Sequence, residues 1–226
     1  MTLAAVLAAV YFVLRAIPTF QMVGTTSYFT TGDFILTTIV LVAGLWSGSL
    51  AIVVGTVVAY ALRPPIFFGL DFLPALANVS IAGFLLTGRR KIALGVYITV
   101  LVAFLVSPYS LLFGYPSVPY VWLHLVALAV LVSPIATKIP LWIQQRNYRG
   151  VIAIGALAFI GTMAQHLVGG LLYEFSVGFV GGVTPQRLMD LWQVIFWLYP
   201  EERMILVIVS TIIALGVYRS LERLRR

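Results

Sequence analysis

Long apolar runs with few charges among them are the feature that most constrains how this chain can fold. Of its 226 residues, 62% are apolar or aromatic and only 9% are charged, and the mean hydropathy is +1.07. So few charges leave too little polar surface to coat a globule of this size. The sequence therefore predicts a single integral membrane domain over residues 1–226, an all-α, polytopic helix bundle embedded in the lipid bilayer.

The apolar runs predict six to eight transmembrane helices, because a spanning helix needs about 20 apolar residues. They lie near 2–17, 33–46, 48–62, 72–88, 92–110, 118–140, 151–174 and 201–221. The second and third are short and are separated only around residues 46–49, which predicts two short helices or a broken hairpin buried by its neighbours. Residues 185–198 carry apolar side chains at helical spacing, which predicts an outer interfacial helix ended by Pro200.

The distribution of basic residues predicts the orientation of the bundle. With the N-terminus inside, ten of the fourteen basic residues fall at cytoplasmic ends, including Arg225 and Arg226. Because cytoplasmic loops are enriched in Lys and Arg, this split predicts a multi-pass cell-membrane protein with both termini cytoplasmic. The net charge of +7 is then a topology signal, and no nucleic-acid partner is predicted. The four basic residues on the outside are Arg15, Arg63, Arg187 and Arg203.

Four polar residues lie well inside the predicted spans. Counted from the proposed outer ends at about 1.5 Å per residue, Asn78, His124, Gln165 and His166 lie roughly 9–13 Å deep. A lone polar side chain in a helix bundle is most often an interhelical hydrogen-bond partner. Agreement in depth on three helices instead favours a shared pocket in the outer half, because polar groups at membrane depth tend to face a wet cavity. The direction in which each side chain points is open at this stage.

Residues near the outer ends complete a predicted ligand site. The 18–32 loop is rich in hydroxyl groups, among them Thr25 and Thr26, and its length suits a lid. Arg63 or Arg15 could pair with an anionic ligand, and aromatic side chains could stack on the ligand or close the lid. The predicted substrate-binding set is Tyr28, Arg63, Phe68, Asn78, His124, Gln165, His166 and Trp192.

The sequence shows none of the following catalytic motifs, so we predict that the protein is not an enzyme. We also predict that it binds neither a cofactor nor a metal. The chain has no cysteine, which excludes disulfides, thiolate zinc sites and cysteine nucleophiles. No Gly-x-Ser-x-Gly elbow and no P-loop occur. Two histidines without a nearby carboxylate are a weak metal site, and Gly32-Asp33 lacks the rest of an intramembrane aspartyl-protease motif.

Three loose motifs carry a family resemblance. The first helix has small-residue pairs at a spacing of four, the run from Gly44 to Gly55 is punctuated by glycines, and Pro200-Glu201-Glu202-Arg203 precedes an apolar last helix. In these features the chain resembles the substrate-binding (S) components of energy-coupling factor (ECF) transporters, the prokaryotic importers of vitamins and micronutrients. The likeness covers residues 1–90 best and the final 25 residues next. Residues 92–140 depart from it as an extra pair of helices, because the family usually has six.

The resemblance implies a ligand pocket in the outer half covered by the 18–32 loop. It also implies three partners, namely a coupling transmembrane subunit and two ATPase subunits. The small-residue face that would dock the coupling subunit consists of Ala4, Ala5, Ala8 and Ala9.

The leading functional hypothesis is thus a subunit that captures a small water-soluble nutrient for ATP-driven uptake. The alternative is a non-catalytic structural or scaffold subunit of a larger membrane complex, in which the polar groups only bond one another. An autonomous secondary transporter is disfavoured, because it needs a coupling-ion site and buried carboxylates are scarce in the sequence.

Overall fold

The computed structural model describes residues 2–24 and 27–224. Thr25 and Thr26 of the predicted lid, and Arg225 and Arg226 of the basic C-terminus, lie outside the described residues. The predicted helical bundle is confirmed, and two short antiparallel β-hairpins join it. The elements are α1 Thr2–Arg15, β1 Pro18–Gln21, β2 Tyr28–Thr30, α2 Leu36–Ala59, α3 Leu73–Leu86, α4 Arg90–Val106, β3 Phe113–Gly114, β4 Val118–Pro119, α5 Trp122–Val132, α6 Pro134–Trp142, α7 Tyr148–Tyr173 and α8 Pro185–Leu224. A 3₁₀ turn, Thr31–Ile35, leads into α2, and a π-helical turn, Glu174–Val180, extends α7.

Several helices are long and apolar enough to cross a membrane. By length and apolarity three stretches qualify in the described part of the chain, Thr31–Ala59, Tyr148–Val180 and Pro185–Leu221, although the first of them is interrupted by a turn at Gly44. The pair α5 and α6 would be a fourth if it counts as one span, although its two helices are bent by 66°. The predicted single span over 118–140 is therefore broken. Ser133 is extended rather than helical, since the residue before a proline disfavours the helical conformation, and Pro134 starts the next helix.

Helix α2 folds back on itself at Gly44. This glycine has φ +73° and ψ −177°, a left-handed conformation that glycine adopts without a steric cost. A Cβ on Gly48 would lie 3.4 Å from Cγ2 of Ile39, although nine residues of straight helix would separate the two by about 13.5 Å. The arms 36–43 and 45–59 therefore form the predicted broken hairpin. Its turn is at Gly44 rather than at residues 46–49, and Trp46 is 78% exposed beside it.

The small-residue face of α1 is divided between the inside and the outside of the bundle. Ala4 and Ala8 are buried, and a Cβ on Gly55 of α2 would lie 2.8 Å from the Ala8 carbonyl oxygen. Small residues allow such close approach of two helix backbones. Ala5 and Ala9 are exposed. Ala4 and Ala8 therefore pack inside the bundle, whereas Ala5 and Ala9 are accessible to a partner.

Helix α8 runs from Pro185 to Leu224 without a break at Pro200. The predicted separate interfacial helix ended by Pro200 is therefore wrong. One buried stripe continues across the proline and holds the helix together, because its side chains pack on the bundle on both sides of that residue. The stripe consists of Leu188, Trp192, Phe196, Tyr199, Arg203, Leu206, Ser210 and Ala214.

The antiparallel arrangement gathers one set of helix ends at one end of the bundle. There α1 ends, α3 begins and α7 ends, and the β1–β2 hairpin connects α1 to the 3₁₀ turn. The hairpin pairs Pro18 with Thr30 and Gln21 with Tyr28. We call this the cavity end, because a cavity lies among these helix ends.

Candidate functional site

A cavity of about 130 Å³ lies at this end of the bundle and is called the main cavity. Its walls come from the end of α1, the β1–β2 hairpin, the start of α3, the last third of α7 and the middle of α8. Its polar and charged walls include Arg15, Asp33, Asp71, Gln165, His166, Glu202 and Arg203. Its aromatic walls are Tyr28, Phe29, Phe67, Tyr173, Trp192 and Tyr199. Charged side chains in so apolar a bundle are costly unless a partner or ligand engages them.

A chain of hydrogen bonds links α3, α7 and the 3₁₀ turn beside the main cavity. Asn78 Nδ2 donates to Gln165 Oε1 at 3.0 Å, and Gln165 Nε2 donates to Asp33 Oδ1 at 2.7 Å. The backbone N–H of Thr30 donates to Asp33 Oδ2 at 3.2 Å. Only Gln165 and Asp33 of the three side chains line the cavity. Asn78 is a positioning residue behind Gln165, and it fixes the direction of that amide.

The two histidines also form one unit with one member in the cavity wall. His124 Nε2 lies 3.0 Å from His166 Nδ1, and the His166 ring stacks on Tyr199 with 4.9 Å between ring centroids. A hydrogen bond between two imidazole nitrogens needs one N–H and one lone pair. Tyr97 donates to the His124 carbonyl oxygen at 3.0 Å. His166 lines the main cavity, and His124 supports it from behind.

Arg203 is the residue that sequence reasoning missed. Its exposure is 1%, its guanidinium carbon lies 4.4 Å from the Phe29 ring centroid, and its Nη2 donates to Glu202 Oε2 at 3.4 Å. Topology placed it among the external basic residues, as if it were solvated. The signal that would have found it is its spacing, since it lies four residues after Tyr199 on the buried stripe of α8.

Two carboxylates of the wall are engaged by the protein itself. Asp71 accepts hydrogen bonds from the backbone N–H groups of Ile66 and Phe67 at 2.9 and 3.1 Å. Asp33 accepts from Gln165 and from the Thr30 backbone as described. Both therefore hold backbone segments in place at the mouth of the cavity.

A second space, the side hollow, adjoins the main cavity. It has a volume of about 340 Å³ and shares five lining residues with the main cavity, namely Arg15, Tyr28, Thr30, Ile66 and Asp71. Tyr60 lies in its wall and donates to the Gly69 carbonyl oxygen at 2.8 Å. Burial, with a contribution from the Asp71 carboxylate, raises the pKa of the Tyr60 phenol.

The structure brings half of the predicted substrate-binding set to the main cavity. Its lining includes Tyr28, Gln165, His166 and Trp192. The other four residues lie outside that lining, and they are Arg63, Phe68, Asn78 and His124. Arg63 lines the side hollow and donates to the Ala16 carbonyl oxygen at 3.1 Å, whereas Phe68 is 62% exposed and contacts the Phe175 ring edge-on. Depth along a helix is readable from sequence, but the direction of a side chain depends on how the helix is rotated against its neighbours.

Within residues 2–24 and 27–224, no group of three or more His, Cys, Asp or Glu side chains could hold a metal ion. The chemistry that the wall offers is recognition through hydrogen bonds, charge and aromatic stacking. Its donors are guanidinium, amide, imidazole and phenol groups.

No family model matches the chain, and no curated protein or solved structure matches it either. The class that the geometry defines is a helical membrane protein with a polar cavity at one end of the bundle. The resemblance to S components rests on sequence motifs alone, so it stays a prediction.

Proposed function

We propose that this protein is the membrane-embedded substrate-binding subunit of an ECF-type transporter, and that it captures a small water-soluble nutrient. The observation that carries the proposal is the main cavity, in which the buried Arg203 and the polar Gln165 and His166 line a space inside an apolar bundle. Burying a cation without full compensation costs several kcal/mol (an order-of-magnitude figure). A ligand that occupies the cavity would offset that cost.

The β1–β2 hairpin supports a capture role. Gln21, Tyr28 and Thr30 of the hairpin form part of the cavity wall. This segment is the loop that the resemblance gives as a cover over the ligand. The side hollow, which shares Tyr28 and Thr30 with the main cavity, is a route by which a ligand reaches the site beneath the hairpin.

The orientation of the bundle is part of the proposal. Arg89 precedes α4, and Arg90 and Lys91 begin it; Arg146 precedes α7, and Arg149 lies in its first turn, all at the end opposite the cavity. The positive-inside rule assigns that end to the cytoplasm, so the cavity faces outward. The crossings are then α1, α3, α4, the α5–α6 pair, α7 and α8, while α2 is a hairpin that enters and leaves at the cavity end. This even number places both termini in the cytoplasm.

The proposed partners are a coupling transmembrane subunit and two ATPase subunits, since the chain has no P-loop of its own. Ala5 and Ala9 are exposed on α1 and offer a narrow small-residue face for the coupling subunit. Recovery of the chain with those subunits supports this assignment. A stable complex of other composition, with an empty cavity, supports the scaffold alternative.

The direct test is native mass spectrometry of the detergent-purified protein. We expect the wild-type chain to carry a co-purified small molecule. Gly169 lines the main cavity, and a Cβ there would meet only the Pro74 side chain, at 3.9 Å. Gly169→Leu should therefore fill the cavity and abolish the adduct without a clash in the helix.

The matched control is Gly95→Leu, the same change on an exposed face of α4 where a Cβ meets no atom within 4 Å. It should leave the adduct in place. Wild-type protein that carries no small molecule from cells, growth medium or added nutrient pools would contradict the proposal. Equal adducts in both glycine variants would place the ligand elsewhere.

A further inference from the structure

In the wall of the main cavity, the carboxylate acceptors have more protein hydrogen-bond partners than the guanidinium donors have. Each oxygen of Asp33 and of Asp71 accepts a hydrogen bond from the protein, at 2.7–3.2 Å. The Glu202 carboxylate accepts from Arg203. Every oxygen of the two aspartates thus has a protein donor, although the acids outnumber the arginines in the wall.

The guanidinium groups of the wall have few hydrogen-bond partners for their number of donors. A guanidinium has five N–H donors. Within the described part of the chain, Arg203 donates one hydrogen bond, to Glu202, and its buried Nε has no partner. Arg15 also donates one, to the Tyr11 hydroxyl at 3.3 Å. Among the described residues, the buried Nε of Arg203 is therefore a donor in the wall that still lacks an acceptor.

The size of the main cavity limits the part of a ligand that can lie beside Arg203. An apolar protein cavity of about 150 Å³ binds one benzene molecule, and the main cavity measures about 130 Å³. Aromatic rings make up much of its wall, and Tyr28, Tyr173 and Trp192 lie there outside the His166–Tyr199 stack. Planar groups of one ring fit such a space and stack on its walls.

We propose that the ligand of the main cavity is a planar carboxylate of about one aromatic ring, and that its carboxylate binds the guanidinium of Arg203. The proposal rests on the capture function proposed above and names its substrate class. A carboxylate has two oxygens that match the planar fork of a guanidinium. The Phe29 ring holds that fork from one face, so Arg203 is oriented before the ligand enters.

A matched pair of probes, benzoate and benzamide, tests the charge. They share ring and shape, but the amide has one acceptor and brings two donors to a site that already has too many. Loss of a charge-assisted hydrogen bond costs about 1.5–3 kcal/mol, or roughly tenfold to 150-fold in affinity. By isothermal titration of the purified wild-type protein, we expect benzoate to bind at least about tenfold more tightly than benzamide.

Three substitutions at two positions of α8 then locate the effect. Arg203→Gln should reduce benzoate affinity to that of benzamide. Arg187→Gln makes the same charge change on an exposed position of the same helix and should leave benzoate binding unchanged. Arg203→Lys keeps the charge without the planar fork and should bind benzoate with intermediate affinity. If the Arg203 variants do not fold, the comparison of the two probes on the wild-type protein still decides.

The outcomes separate this inference from the proposed function. Equal affinity for the two probes, benzoate binding unchanged in Arg203→Gln, or no binding of either probe would overturn the planar-carboxylate assignment. In each of these cases the capture function stands if native mass spectrometry recovers a small molecule that lacks an acidic group. It fails with the inference if the wild-type chain carries no molecule at all.

Discussion

The two ends of the bundle use arginine in opposite ways. At the end opposite the cavity, Arg149 is exposed beside Tyr148 and Trp142, and Arg90 donates from Nε to the carbonyl oxygen of Leu131 at 2.8 Å. At the cavity end, Arg203 is buried, and its Nε has no hydrogen-bond partner among the described residues. The arginines at the end opposite the cavity indicate the membrane orientation, and Arg90 also caps the C-terminal end of α5. Burial makes Arg203 a candidate for ligand recognition, which the residue type alone does not.

The largest effect on stability should come from Gln165, which bridges two helices and the 3₁₀ turn at the cavity end. Gln165→Leu removes the partners of Asn78 Nδ2 and Asp33 Oδ1. Because a buried polar group without a partner costs about 1–3 kcal/mol, we expect the free energy of unfolding to fall by about 2 kcal/mol. Thermal unfolding in detergent measures it.

The matched control for that change is Gln144→Leu, on an exposed residue at the opposite end. It should shift the unfolding temperature by much less. An equal loss in the two variants would mean that the polar chain beside the cavity does not stabilise the fold.

The comparison of arginines predicts a difference in ligand retention. Arg203→Met removes the unsatisfied guanidinium and keeps much of the side-chain volume, so retention of the co-purified molecule should fall at least tenfold, or about 1.4 kcal/mol. Arg149→Met at the opposite end should retain the molecule as the wild type does. Native mass spectrometry of the two variants, purified in parallel, checks this. Equal retention would remove Arg203 from the site.

Arg90 should show the reverse pattern, with an effect on the fold and none on the ligand. Its guanidinium donates to the carbonyl oxygens of Leu131 and Val132 at the end of α5. Arg90→Met should therefore lower the free energy of unfolding by about 1 kcal/mol. The exposed neighbour Lys91 supplies the control, since Lys91→Met should be nearly neutral. A loss of ligand in Arg90→Met would show that the two ends are coupled.

The smallest expected effect is that of His124, which supports His166 from behind. His124→Phe keeps an aromatic ring beside His166 and removes the hydrogen bond between their nitrogens. Interhelical hydrogen bonds in membranes average about 0.6 kcal/mol, so ligand affinity should weaken about threefold. A much larger loss, measured by titration with the recovered ligand, would indicate that His124 contacts the ligand itself.

Much of the fold was predictable because the relevant signals are local. Apolar runs marked the helices, and the short runs on either side of residues 46–49 predicted two short helices or a broken hairpin, since they are short for separate spans. Pro200 was misjudged for a similar local reason. Proline usually ends a helix, but here the buried stripe of α8 packs on the bundle at both Phe196 and Arg203, and tertiary packing outweighs the local preference.

The candidate site was predictable only in depth. Residues at equal heights on three helices pointed correctly to a polar layer, yet Asn78 and His124 face other helices while Gln165 and His166 face the cavity. Helix rotation decides between these outcomes, and the near-uniform apolarity around α3, α5 and α7 leaves no amphipathic stripe to show it.

Composition and residue order were thus sufficient for a membrane-embedded helical bundle with polar groups in a common layer, because the cost of polar surface in lipid acts on each segment separately. Helix rotation, the turn-back at Gly44 and the burial of Arg203 were settled only when the helices packed together. These features depend on which side chains meet across helices, and such contacts join residues as far apart in the chain as Asn78 and Gln165.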